Sequence, residues 1–489
     1  MDIFTTEQYI QKSREAVSDE DLQQALASVQ SRLGPATRKM YGQQPEGPDV
    51  RQQAHEIRLR AIENLDILLA ELADRVTENG GRVFFARDGA EAVAYCLDVA
   101  KQNGVRSVVK GKSMVTEEVG LNEALEAQGI TVSETDLGEY IIQLAGEKPS
   151  HIIAPAIHKN RRQVGRLFAE KLGVAYTEDP AELTQLARAA LRKSFLQADM
   201  GITGCNLACA QTGHITTVSN EGNIRMSSTL PKVYVAFMGM ERVVATLKDH
   251  NLLFRLLSTG AAAQKLGGYV SYVGGPGPAG YPDGPTEFHL IIIDNGRSRI
   301  LADPAFREML CCIRCSACLN VCPVYGKIGG HAYGSPYSGP VGAVVTPLLA
   351  GINRAGDLCR GETLCGACKQ ACSVDIDLPR MLLELRWRLA EGDESWGVTP
   401  VSRPEKVVMD AFGWLTNHPA LYRTLLSAVS RAQNLSGASR NVFQHLPGPI
   451  SGWTESRDLR KFSKKPFREQ WKQMQGPHDR QPRKNGGNP

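Results

Sequence analysis

Apolar residues recur at helical spacing over 56–78, where Ile62, Leu65, Leu68, Leu69, Leu72 and Val76 share a face. Asn79-Gly80-Gly81 is a stop signal for that helix. The preceding segment, 1 to about 60, is polar and predicts helices joined by loops around Gly34-Pro35 and 45–48. Beyond residue 80 the pattern alternates. Strands are predicted at 83–85, 107–109, 130–132 and 151–154. Helices are predicted from Asp88 to about 102, over 117–128 and over 165–172. Short apolar runs alternating with helices imply βαβ units and a mainly parallel sheet. Further strands at 214–219, 233–237, 269–273 and 288–293 are less regularly separated, so part of the sheet is expected to be mixed. The turn Asp294-Asn295-Gly296 closes this α/β region near residue 300. A loop rich in Gly, Ser, Pro and Tyr at 326–345, an amphipathic helix at 378–390, short helices and a disordered basic tail from Arg457 to Lys484 complete the pattern. The expected domains are a helical segment 1–65, an α/β domain 66–300, a small helical domain 301–392 and a helical C-terminal region with its tail, 393–489.

Composition narrows the classes. Of 489 residues, 42% are hydrophobic and 22% charged, which suits folded domains and not a disordered chain. A net charge of +4 on 56 basic and 52 acidic side chains makes no case for nucleic-acid binding. No apolar run approaches the ~18 residues of a membrane helix. Charges occupy the first 22 residues where a signal peptide would be apolar, so a cytoplasmic location is expected.

Nine of the 12 cysteines fall between Cys311 and Cys372. A disulfide framework spreads its cysteines through a small secreted chain, so clustering here points to metal ligation. The first run, Cys312-x2-Cys315-x2-Cys318-x3-Cys322-Pro323, has the ferredoxin spacing for a [4Fe-4S] cluster. Zinc sites also pair C-x2-C but do not require the third cysteine. The second run, Cys365-x2-Cys368-x3-Cys372, has Glu362 where a leading cysteine belongs and Ser373 in place of proline. In two-cluster proteins the last cysteine of each run ligates the other cluster. Two [4Fe-4S] clusters follow, one on Cys312, Cys315, Cys318 and Cys372, the other on Cys322, Cys365 and Cys368. A carboxylate is a harder donor than iron–sulfur favours, so Cys359 is the candidate for the missing thiolate. An open iron, or Cys205 or Cys209, are the other readings. Cys311 and Cys96 read as packing residues.

The α/β region carries polar, glycine-containing stretches at 110–114, 134–139, 204–206, 211–214 and 220–223, which would gather at the carboxyl ends of parallel strands. Lys110-Gly-Lys112-Ser lacks the leading glycine of a phosphate loop, and no G-x-G-x-x-G follows a strand. Lys110, Lys112, Glu139 and His158 are candidate pocket residues. His151 reads as structural.

The runs 108–114, 134–142, 151–160, 201–206, 211–213 and 220–223, with Gly329–Gly334 and Gly339–Gly342 between the cysteine runs, resemble the lactate-utilisation protein B family. The resemblance extends to about residue 390, and the C-terminal tail adds nothing to it. It implies an α/β domain like that of sugar-phosphate isomerases and CoA transferases, followed by a ferredoxin-type domain with two [4Fe-4S] clusters. It also implies electron transfer within a three-protein complex that oxidises L-lactate to pyruvate. Partners would be the two other proteins and an electron-acceptor chain, with room for peripheral membrane association. Two other functions stay open: lactate oxidation in this chain's own α/β pocket, and a non-catalytic redox scaffold or sensor.

Overall fold

The computed structural model describes residues 3–474 except 46, 48, 279, 281–282, 401–402, 434–441, 447, 455–456, 464 and 466. Part of the 45–48 loop and the tail beyond 474 therefore lie outside the described residues. The chain forms two units, 1–400 and 401–489.

The first unit is built on a six-stranded sheet. Its strands are β1 (Arg82–Ala86), β2 (Ser107–Lys110), β3 (Thr131–Glu134), β4 (Met200–Gly204), β7 (Val233–Gly239) and β10 (Glu287–Ile293), in the order β1-β10-β7-β4-β2-β3. Every pairing is parallel. β7 is buried along its whole length, as the centre of a sheet covered on both faces must be. The mixed pairing expected from the sequence belongs to a separate four-stranded sheet. It comprises β5 (Leu207–Cys209), β6 (His214–Ser219), β8 (Val243–Val244) and β9 (Tyr269–Val273), in the order β8-β5-β6-β9.

Several local expectations change. The helix predicted over 56–78 is two, α3 (Val50–Glu63) and α4 (Leu65–Glu78), separated at Asn64. The helix predicted over 117–128 is likewise split, with Gly120 left-handed (φ 68°) between Met114–Glu118 and Leu121–Ala127. Gly34-Pro35 lies inside the long helix α2 (Glu20–Tyr41), which follows α1 (Thr6–Ser18), and makes no loop. A Cβ on Gly34 would meet Val321 Cγ1 at 3.2 Å and Asn320 O at 3.3 Å, so the missing side chain lets α2 seat on the first cysteine run. Residues 151–153 form a bend in place of a strand, and a turn follows over 155–158. The His151 Nδ1 accepts hydrogen bonds from the amides of Ile153 and Ala154, both at 3.0 Å. The loop expected over 326–345 gives way to a helix, Gly339–Ala350, which starts at Gly339-Pro340 because proline needs no amide donor in a first turn.

The N-terminal helices are fastened to the cysteine-rich segment. Gln30 Nε2 donates to Leu319 O and Cys322 O, both at 2.9 Å. Tyr41 Oη and Ser373 Oγ share a hydrogen bond of 2.7 Å, and Arg51 Nη1 donates to the carbonyls of Gln370 and Cys372. One continuous core runs from Leu22 and Leu26 through the sheet to Leu382 and Leu385. The second unit contains helices Arg403–Thr416 and Pro419–Ala432, a two-stranded ribbon and the helix Phe467–Met474, which lies within the segment expected to be disordered.

Candidate iron–sulfur centre and the adjoining cavity

The first cysteine run wraps tightly. Arg314 (φ 59°) and Ser316 (φ 61°) both adopt the left-handed backbone that non-glycine residues seldom occupy. Their alternation with cysteines turns Cys312, Cys315 and Cys318 toward one side. Cys372 joins them across the fold: its thiol is acted on by Cys315 and Cys312, and that of Cys318 by Cys312, Cys315, Cys372 and, from the second run, Cys368. Cys322 stands apart. Its Sγ donates to Glu362 Oε2 at 3.5 Å, and Glu362 also acts on Cys368, which in turn interacts with Cys365. The six other run cysteines are buried or half-buried, and Cys365 is exposed.

Backbone amides surround these sulfurs. Arg314 N faces Cys312 Sγ and Tyr325 N faces Cys322 Sγ, each at 3.4 Å. The amides of Ala317 and Ser373 lie against Cys315, and those of Val374 and Ile376 against Cys372. Burial pushes the thiols of Cys315, Cys318, Cys322, Cys368 and Cys372 up, Cys368 to about 12. Buried sulfurs ringed by N–H groups fit thiolates bound to iron, whose sulfurs accept such hydrogen bonds. Among the described residues, the buried Arg314 Nε and Nη1 and Ser316 Oγ have no oxygen or nitrogen partner, and the Arg314 guanidinium acts on Cys312, so they are further donors for sulfur. A Cβ on Gly260 would lie 2.9 Å from Cys315 Sγ and 2.2 Å from Ser373 Oγ, which shows how closely the helix Leu247–Ala262 approaches the first group.

Cys359 is fully buried on the helix Ile352–Gly361, and its thiol donates to Gly356 O at 3.1 Å. The largest charged influences on it are Arg386, Arg360 and Asp357. Cys311 is buried in the core, as is Cys96. Cys209 lies on β5, and Cys205 in the link between β4 and β5.

Against the first run lies a cavity of about 270 Å³, at the carboxyl ends of β2, β3 and β4. Lys112, Asp136, Glu221, Arg242, Ile313 and Arg314 are among its walls. Arg242 Nη1 donates to Cys312 O at 3.2 Å. Lys112 Nζ pairs with Glu139 Oε1 at 2.7 Å, and Lys110 Nζ with Glu134 Oε1 at 2.7 Å. Burial and Asp136 push Glu221 up to about 7; burial and Glu139 push Glu117 up to about 8. Lys110 is fully buried and does not reach the cavity wall. His158 is elsewhere. Its Nε2 meets Glu147 Oε2 at 2.7 Å and its ring packs on His331, with Lys159 Nζ on the other Glu147 oxygen at 2.6 Å. Burial and His331 hold His158 down at about 4. Glu147, His158 and His331 could together hold a metal ion, although Lys159 already neutralises the carboxylate.

Sequence reasoning missed a buried charge network that ties the α/β domain to this region. Arg297 Nη2 meets Glu118 Oε2 and its Nε meets Glu241 Oε2, both at 2.8 Å. Arg242 and Arg314 share Glu241 from the other side, at 3.6 and 3.9 Å. Isolated charged residues far apart in sequence carry no motif.

Three family models match successive segments of the chain. Residues 69–293 match the LUD domain model, 308–376 the 4Fe-4S dicluster domain, and 399–476 the model for the C-terminal part of lactate utilisation protein B. Lactate utilization protein B of Bacillus licheniformis is 45% identical, across 94% of this chain and 96% of its own. The chain belongs to the lactate utilization protein B family. The Bacillus subtilis member is 44% identical over 95% of this chain and 96% of its own. A protein of Escherichia coli K12 named uncharacterized electron transport protein YkgF is 43% identical over 97% of each. The C-terminal match corrects the expectation that the family likeness fades near residue 390. A crystal structure of a DUF162 family protein from Deinococcus radiodurans aligns with 47% of this chain and 98% of its own, at 15% identity. Its TM-score of 0.27 is too low to bear on the fold.

Proposed function

We propose that this chain is the iron–sulfur electron-transfer component of a complex that oxidises L-lactate to pyruvate. Two [4Fe-4S] clusters are assigned, one to Cys312, Cys315, Cys318 and Cys372 and the other to Cys322, Cys365 and Cys368. The observation that supports this reading is that Cys372 acts with Cys312 and Cys315 from across the fold, while Cys322 and Cys368 both face Glu362. Such clusters pass single electrons, at potentials set by hydrogen bonds, burial and charge. The chain's own part is to hold the sulfurs, shield the first group and leave the second near the surface at Cys365. Family membership supports two partner proteins and an acceptor chain, a cytoplasmic location, and an α/β domain of the isomerase and CoA-transferase kind spanning 66–300, followed by a ferredoxin-type domain at 301–392. Among the described residues no helix is long and apolar enough to cross a membrane.

A second reading has one observation in its favour. The cavity shares Ile313 and Arg314 with the first run, which would put a substrate held by Arg242 or Lys112 beside a cluster. L-Lactate oxidation by the purified holoprotein with an artificial acceptor separates the two. Turnover only when the partner proteins are added supports the carrier; turnover by the chain alone supports the enzyme.

A further inference from the structure

Glu362, Cys365, Cys368 and Cys372 repeat the spacing of Cys312, Cys315, Cys318 and Cys322, with the carboxylate in the leading position. The fold keeps that register. Glu362 is 7% exposed, and its Oε2 lies 3.5 Å from Cys322 Sγ, a sulfur assigned above to the second cluster. Its other oxygen accepts a hydrogen bond from Tyr333 Oη at 3.0 Å. The backbone is fixed as well: Arg386 Nη2 donates to Glu362 O at 2.5 Å, and Nε and Nη2 of the same guanidinium donate to Cys359 O at 2.9 and 2.7 Å. That clamp holds the end of the helix Ile352–Gly361 so that Glu362 faces Cys322 while the Cys359 thiol points back at Gly356 O. The side-chain partners of this buried carboxylate are Tyr333 Oη and Cys322 Sγ, and Arg386, which acts on it from its backbone clamp, makes no direct ion pair with it among the described residues.

We propose that Glu362 supplies the fourth protein ligand of the second cluster through Oε2, with Tyr333 orienting the carboxylate through its other oxygen. The proposal rests on the two-cluster reading above. Cys359 is then a packing residue. The second cluster has three thiolate corners and one oxygen corner, and the oxygen corner is the weaker bond because carboxylate is harder than thiolate. Under ferricyanide, the iron at that corner is the one released. One ferrous ion leaves and one electron passes to ferricyanide, leaving a three-iron cluster with all its iron ferric and its three thiolates intact. The first cluster, with four thiolates, resists the same treatment.

The test uses the anaerobically purified full-length holoprotein, with iron counting and low-temperature electron paramagnetic resonance before and after one equivalent of ferricyanide. Wild type is expected to hold about eight irons and to lose about one, with the signal of a three-iron cluster appearing. Glu362→Cys should keep all its iron and lose that signal, whereas Cys359→Ser should behave as wild type. Tyr333→Phe should release iron faster than wild type. Equal three-iron yields in wild type and Glu362→Cys, or loss of the second cluster in Cys359→Ser, overturn the proposal alone. A wild-type protein holding only about four irons overturns the two-cluster reading, and the ligand assignment with it.

Discussion

Replacing Arg297 by methionine should be among the most damaging single changes in the first unit. Its guanidinium is fully buried and serves two carboxylates, Glu118 at 2.8 and 3.0 Å and Glu241 at 2.8 Å. Methionine fills similar space but leaves Glu118 with only the neutral donors Tyr337 Oη and Asn295 Nδ2. Glu241 keeps Arg242 and Arg314 at longer range. Breaking a buried pair costs about 3–5 kcal/mol, because a desolvated charge is left behind. For a cooperative unit of some 400 residues with an unfolding entropy of about 2 cal/mol/K per residue, that is a fall in Tm of about 4–6 °C. Scanning calorimetry of the holoprotein near neutral pH measures it. The pH dependence has a definite sign. Burial alone would raise Glu241, but Arg297 and Arg242 outweigh it and hold the group at about 2. Its stabilisation is therefore present above the ordinary glutamate value near ~4.3 and fades as pH falls through about 2. The deficit of Arg297→Met should accordingly shrink as pH is lowered from ~5 toward 3. A Tm change below about 1 °C, or a deficit that widens in acid, would refute the reasoning.

The crossed assignment predicts that Cys312→Ser and Cys372→Ser alter the same cluster signal although 60 positions separate them, while Cys322→Ser alters the other; resonance spectra in which Cys312→Ser and Cys322→Ser remove one common signal would sink it. Glu117 offers an opposite pH signature to Glu241. Burial and Glu139 lift it to about 8, against the pull of Lys112 and Lys110, so its contribution is full below ~4.3 and lost as pH rises toward 8. Glu117→Gln should flatten the decline of Tm across that window, and a variant tracking wild type throughout would count against the assignment.

The cysteine spacing carried the most information in the sequence, since it depends on short local wrapping and on little else. Strands with β-branched or aromatic runs, such as Val233–Gly239 and Glu287–Ile293, were legible for the same reason. Central strand Met200–Gly204 was not, because Gly-Ile-Thr-Gly reads locally as a turn. The reason for a glycine there is tertiary: a Cβ on Gly201 would lie 1.8 Å from Ser227 O in the helix packed across it. Residues 151–154 failed in the other direction. Their strand propensity yields to the imidazole of His151, which captures two amides that a strand would have paired. At the site, Lys112 and Glu139 were legible as polar loop residues and do pair. His158 belongs to a different cluster, a distinction that depends on how 147–160 folds back on His331.

The fastening of α2 to the cysteine runs has a consequence for biosynthesis. Gln30 leaves the ribosome 289 residues ahead of Leu319, the carbonyl it will bind. At about 5–20 residues per second that is a delay of roughly 15–60 s. During it, the face carrying Leu22 and Leu26 waits for the segment around Gly329 that will bury it. The thiols of the two runs, by contrast, emerge close together and meet their cover already made. Because Gln30 bonds the carbonyl of Cys322, any cluster proposed at that sulfur would be set in place beneath a helix made long before it.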